Sequence, residues 1–170
     1  MQRLWAPWRM SYIDGNDRPV APGCIFCLRD LSEEDEARLV VQRGHHACVL
    51  MNRYPYNNGH LMIAPFRHTA SLSELTADEV LEMHHLTIQA QSALDEVMHP
   101  HGFNLGFNLG RDAGAGIIDH LHLHLVPRWQ GDTNFMPVLS EVRTIPQHLE
   151  ETWRLLRGAI VRQGELSCAR

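Results

Sequence analysis

Asp119-His120-Leu121-His122-Leu123-His124-Leu125-Val126-Pro127-Arg128 alternates imidazole with leucine three times before closing on Val-Pro-Arg. Strict alternation is the pattern of a β-strand, in which residues i, i+2 and i+4 share one face. One face of this strand is therefore imidazole and the other aliphatic. The leucines suit burial against a core. The imidazoles must meet water, a metal or a ligand, because each ring carries two nitrogens that need partners. A half-buried strand needs no such run of histidines, so the sequence places a functional site here.

The other features of the chain bound what that site serves. With 170 residues, 44% hydrophobic and 21% charged, the chain fits one globular domain with a substantial core. The net charge of -5 excludes a broad nucleic-acid surface, although local basic groups can still hold a phosphate. No apolar run approaches a membrane span, and Met1-Gln2-Arg3-Leu4-Trp5-Ala6-Pro7-Trp8 lacks a signal-peptide core, which implies a cytoplasmic protein with no membrane partner. In that compartment the four cysteines are read as thiols or metal ligands rather than disulfides.

Residues 1–23 form an aromatic-rich arm, with Trp5, Trp8, Met10 and Tyr12, packed on the domain or on a partner. A single domain is expected over 24–163 and a frayed tail over 164–170. Cys24-Ile25-Phe26-Cys27 follows a Pro-Gly turn, and C-x-x-C is half of a zinc site; a redox pair or two buried thiols are the alternatives. No second C-x-x-C exists, so any zinc must also take histidines. Strands are expected at 39–41, 47–51 and 60–64, with Gly44-His45-His46 as a turn and 52–59 as a turn-rich loop. Thr76 with Glu79 is a capping box opening a helix to about Met98, whose sheet-facing residues are Val80, Met83, Thr87, Ala90, Leu94 and Val97. His84 and His85 fall on its surface. A further strand begins at Phe103, and Arg111–Gly116 is a flexible loop that lets backbone approach a ligand closely. A last helix over about 147–162 presents Leu149, Trp153, Leu156 and Ile160 on one face.

The pattern His120-Leu121-His122-Leu123-His124-Leu125-Val126 resembles the triad of the histidine-triad (HIT) superfamily of nucleotide hydrolases and transferases. The cysteine pair, Asn52 at a strand end, Gly59-His60, Pro65 with His68, and one long helix before the final hairpin agree with it over roughly residues 20 to 135. Leu4-Trp5-Ala6-Pro7-Trp8, Pro127-Arg128-Trp129 and Gly131-Asp132-Thr133-Asn134-Phe135 are similar to a narrower branch, the bacterial diadenosine tetraphosphate phosphorylase-like proteins.

The resemblance implies an α+β fold: an antiparallel sheet of about five strands, one long helix and a C-terminal helix. It implies that His122 attacks the α-phosphorus to give a nucleotidyl-histidine, that the His120 carbonyl fixes its tautomer, and that His124 donates to phosphate oxygens. Asn52 would hold the ribose hydroxyls, with Asn108 beside the phosphates. His60, Trp129 and the backbone N–H groups of Gly114-Ala115-Gly116 would complete the nucleotide contacts. Cys24, Cys27, His68 and His120 would hold a structural zinc, and the chain would pair as a homodimer. The substrate class implied is a dinucleoside polyphosphate. Phosphoramidate or adenylyl-sulfate cleavage, a low-turnover nucleotide-binding module and a zinc-stabilised interaction protein are the competing readings. One departure stands out: four residues before His120, where many relatives carry glutamine or serine, this chain has Gly116, which leaves the acceptor open between phosphate and water.

Overall fold

The computed structural model describes residues 23–132 and 148–168, with side chains as far as Gly164. The aromatic arm before Gly23 and the Thr133-Asn134-Phe135 segment lie outside the described residues. Five strands, β1 (Val40–Arg43), β2 (Ala47–Met51), β3 (Leu61–Pro65), β4 (Gly102–Phe107) and β5 (Leu123–Arg128), form one sheet in the order β1-β2-β3-β5-β4. Every neighbouring pair is antiparallel. Helix α1 (Ala77–Met98) joins β3 to β4, and α2 (Leu149–Cys168) follows the sheet, its helical backbone running past Gly164, where a frayed tail is expected. The expected α+β architecture is the one observed. None of the helices among the described residues is long and apolar enough to cross a membrane.

The pleat gives the sheet two different faces. Val49 and Met51 of β2, Leu61 and Ile63 of β3 and Leu125 of β5 share one core with Met83, Leu86, Ala90 and Leu94 of α1 and with Trp153 and Leu156 of α2. The alternate residues Cys48, Leu50, Met62 and Ala64 point the other way and pack with Phe26, Leu28 and Phe66. Both helices therefore sit on one face, and the other is covered by the loop that carries the cysteine pair.

Local chemistry sets the helix. Thr76 accepts from the Glu79 N–H at 3.2 Å while Glu79 accepts from the Thr76 N–H at 2.8 Å, the capping box read from the sequence. The buried stripe runs through Glu79, Met83, Leu86, Thr87, Ala90, Ala93 and Leu94. Val80, expected to face the sheet, is 52% exposed. Glu79 takes the inward position in that turn because Arg67 binds its carboxylate at 2.7 Å and satisfies the charge. The same pair holds the Glu79 carboxyl down to about 2, with the Arg67 hydrogen bond as the main cause. One turn on, Glu82 accepts from the backbone N–H groups of His45, His46 and Ala47 and fastens the β1–β2 turn to α1. At the far end Gly59 has φ +73°, and a Cβ there would lie 2.7 Å from Met98 Sδ and 2.9 Å from Leu94 Cδ2, so only glycine fits. That fit seats the loop before β3 directly on α1.

The histidine run is not all strand. Pairing of β5 begins at Leu123, with Leu123↔Ile63 and His124↔Met62 on one side and His124↔Gly106 on the other. Ahead of it the Leu121 N–H donates to the Thr69 carbonyl at 2.6 Å, so His120 to His122 run beside the segment following β3 rather than in the sheet. The expected single imidazole face is thereby broken at its first member.

Candidate active site and metal centre

His120 turns toward the cysteine loop. Its Nδ1 lies 3.2 Å from Cys24 Sγ, 3.9 Å from Cys27 Sγ and 3.2 Å from His68 Nδ1, and Cys27 Sγ is 3.4 Å from that same His68 nitrogen. All four ligand atoms lie within 4.8 Å of one another. A tetrahedral zinc with bonds of about 2.3 Å to sulfur and about 2.0–2.1 Å to nitrogen requires S···N edges of about 3.5 Å and N···N edges of about 3.3 Å. The S···N distances, from 3.2 to 3.9 Å, bracket the first value, and the N···N distance of 3.2 Å lies close to the second. His120 Nε2 donates to the Pro65 carbonyl at 2.8 Å, which leaves Nδ1 with the lone pair a metal needs. Burial pushes the Cys24 thiol up to about 11 and His120 down to about 4, so both groups favour their neutral forms unless a cation replaces the thiol protons. Two thiolates and two imidazoles leave no open position for a catalytic water. The four residues are thus able to hold a metal ion, in a structural arrangement.

Two residues on, His122 is held from behind. Its Nδ1 donates to the His120 carbonyl at 2.8 Å, so the neutral ring keeps its hydrogen on Nδ1 and its lone pair on Nε2. Burial lowers its pKa and favours that neutral form. Phe26, between the two cysteines, stacks on the ring with centroids 4.6 Å apart at 27°. His124 is held in the opposite sense. The Tyr56 N–H donates to His60 Nδ1 at 3.1 Å, so neutral His60 carries its hydrogen on Nε2 and passes it to His124 Nδ1 at 2.9 Å. The hydrogen of neutral His124 must then sit on Nε2. The two rings, 4.8 Å apart and nearly perpendicular, offer one lone pair and one N–H side by side.

Both line a pocket of about 310 Å³ that also takes in Ile25, Phe26, Leu50, Met62, Ile117, Asn52, Tyr54 and Tyr56. That is the size of a small-ligand site, apolar with a few polar groups. Asn52 is on its wall, its Oδ1 accepting from the Tyr54 N–H at 2.9 Å. Asn108 lies beside His124, with Nδ2 3.4 Å from both His124 Nε2 and Tyr56 Oη.

Three expected nucleotide contacts are placed differently. His60 is 1% exposed and sits behind His124, so it positions that ring instead of lining the pocket. Trp129 turns away and donates its indole N–H to the Met98 carbonyl at 3.3 Å. In the glycine loop, the Gly114 N–H donates to Arg111 O and the Ala115 N–H to Gly110 O, so these amides are spent inside the loop. Gly114 and Gly116 reach the pocket wall, where the missing side chains leave room; Ala115 does not. The sequence reading missed Phe26, Tyr54 and Tyr56. The signal was present, since Phe26 lies inside the C-x-x-C and the two tyrosines flank Pro55 directly after Asn52.

The model of the HIT domain matches residues 32–131. The chain belongs to the HIT domain family. Among HIT relatives it is 42% identical over 170 residues to the AP-4-A phosphorylase of Mycobacterium tuberculosis, covering 96% of this chain and 86% of that one. It is 30% identical to an uncharacterized HIT-like protein of Methanocaldococcus jannaschii over 79% of this chain and 99% of that one. The crystal structure of a zinc-bound histidine triad family protein from Mycobacterium smegmatis superposes with a TM-score of 0.65 at 24% identity, covering 85% of this chain and 97% of that one, and shows the same fold.

Proposed function

We propose that this HIT enzyme cleaves dinucleoside polyphosphates such as diadenosine tetraphosphate through a nucleotidyl intermediate on His122, with orthophosphate as the acceptor. The observation that carries the chemistry is the opposite locking of two adjacent rings. The carbonyl of His120 leaves His122 Nε2 as a nucleophile at neutral pH. Through His60, His124 keeps an N–H for a phosphate oxygen as charge builds during attack. His122 Nε2 bonds to the α-phosphorus and the bond to the bridging oxygen breaks, releasing ATP. Orthophosphate then attacks the same phosphorus, frees the ring and gives ADP. Water in its place gives AMP. The phosphorolytic choice is supported by the 42% identity to a protein named AP-4-A phosphorylase. Gly116 lines the pocket and brings no side chain into it, which is compatible with orthophosphate entering as a second anion.

Cys24, Cys27, His68 and His120 are proposed to hold zinc. When bound, the ion supplies no reacting group but pins the loop bearing Phe26 to the segment that bears His122. The chain is also proposed to dimerise through β4, the last strand in the sheet order, whose Leu105 is 52% exposed. Product analysis with and without orthophosphate tests the reaction: ADP with ATP supports it, and AMP with ATP in both conditions overturns the phosphorolytic acceptor. Metal analysis of the purified protein should find one zinc per chain, lost in Cys24→Ser. A scattering mass near 19.4 kDa would refute the dimer.

A further inference from the structure

One hydroxyl on the pocket wall takes no part in the reaction as described above. Tyr56 lines the pocket beside the imidazoles, and its Oη accepts from Asn108 Nδ2 at 3.4 Å. The same Nδ2 is 3.4 Å from His124 Nε2. His124 carries its hydrogen on that nitrogen and cannot accept there, so two N–H donors stand side by side with a phenol next to them. A phenol both accepts and donates. Donors converging from three side chains suit the oxygens of an anion.

The loop between β2 and β3 holds the phenol in place. The Asn52 N–H donates to the His60 carbonyl at 2.9 Å, the His60 N–H to the Asn57 carbonyl at 3.2 Å and the Tyr54 N–H to Asn52 Oδ1 at 2.9 Å. The Tyr56 ring packs on His60 with centroids 4.6 Å apart. Four rings then follow one another across the site. Phe26 lies on His122, His122 on His124 and His124 on Tyr56, with centroids 4.6, 4.8 and 5.7 Å apart. His124 therefore stands between the attacking ring and the phenol.

Resting on the reaction proposed above, we infer that the Tyr56 hydroxyl seats the terminal phosphate of the departing ATP and then the orthophosphate that replaces it, and so favours phosphate over water. In an in-line displacement the leaving oxygen lies across the phosphorus from the attacking nitrogen, and the acceptor that follows enters on that same side. The phenol is on the far side of His124 from His122, where both phosphates must pass. In the second displacement an orthophosphate oxygen bonds to phosphorus as the bond to His122 Nε2 breaks, and that electron pair returns to the ring. An orthophosphate dianion brings an unprotonated oxygen, whereas water must give up a proton as it attacks. Seating the anion therefore favours ADP over AMP without any added base.

The test is the ratio of ADP to AMP formed from diadenosine tetraphosphate over a series of orthophosphate concentrations, in the full chain and in Tyr56→Phe. The substitution keeps the ring on His60 and His124 and the backbone N–H on His60, and removes the hydroxyl alone. Both products come from one intermediate, so their ratio is blind to how fast that intermediate forms and to how much protein is folded. Loss of one hydrogen bond to an anion should shift the ratio about tenfold toward AMP at subsaturating orthophosphate. A shift of less than about threefold, or a shift toward ADP, overturns the inference and leaves the reaction standing. So does loss of all cleavage in Tyr56→Phe, which would give the hydroxyl to the first displacement instead of the choice of acceptor. A full chain that forms no ADP at any orthophosphate concentration overturns the phosphorolytic reading and this inference together.

Discussion

The two faces of the sheet are built from alternate residues of the same strands, yet they do different work. On the helical face Leu61, Ile63 and Leu125 meet aliphatic partners from α1 and α2 and are fully buried. On the other face Met62 packs with Phe26 and Leu28 of the cysteine loop, with Phe66 and with Ile117, His124 meets His60 and Tyr56, and what these loops leave uncovered is the pocket. The difference shows that the helices provide stability without touching the chemistry, whereas the loop with its cysteine pair closes the chemical face around an opening.

Substitutions on the two faces should therefore separate activity from stability. The largest effect is expected for His122→Ala, with kcat falling at least 10³-fold, about 4 kcal/mol of barrier, while thermal stability changes little. Cleavage at the parental rate would remove the covalent step. On the opposite face Leu94→Ala should cost about 3 kcal/mol in a denaturant titration, because a fully buried leucine leaves a cavity, with kcat preserved in the folded fraction. A loss of kcat larger than the loss of folded protein would show that the faces are coupled.

His60→Phe sharpens the comparison within the chemical face. It keeps a ring behind His124 but removes the N–H that fixes its tautomer, so kcat should drop about 30-fold with KM nearly constant. An unchanged kcat would mean His124 needs no such lock. The smallest effect belongs to the Arg67–Glu79 pair at the helix start. The unfolded chain binds the Glu79 proton near pH 4.5 and the folded chain near 2, so the pair stabilises the fold above 4.5 and loses that contribution as pH falls toward 2. Glu79→Gln should be less stable by about 1 kcal/mol at pH 7, after allowance for screening of the half-exposed Arg67, and indistinguishable near pH 2. Equal deficits at both pH values would remove the charge argument.

What the sequence made legible follows from which forces act locally. The Thr76–Glu79 box, the strands around Val49 and Ile63 and the α2 stripe through Trp153 and Leu156 depend on neighbours in the chain, and they were read in the right places. The Cys24, Cys27, His68, His120 cluster was legible only through the resemblance, because it brings together residues 96 positions apart. Val80 was misassigned because period alone cannot reveal that Arg67, distant in sequence, makes Glu79 the better inward residue. The rings of His60 and Trp129 lie elsewhere than expected for a related reason: proximity to the triad in sequence or motif does not say whether a ring points into a pocket, behind a partner or toward the end of a helix.

His120 contributes to two sites by two different parts of itself, the ring to the cysteine cluster and the carbonyl to His122. Every amino acid has that carbonyl. Exchanging the side chain at this position therefore interrogates the cluster while leaving the grip on His122 in place, and the two duties are separable in evolution as in the laboratory. A descendant of this chain that lost its cysteines and replaced the first histidine would give up the cluster and still inherit a correctly oriented imidazole at the next triad position.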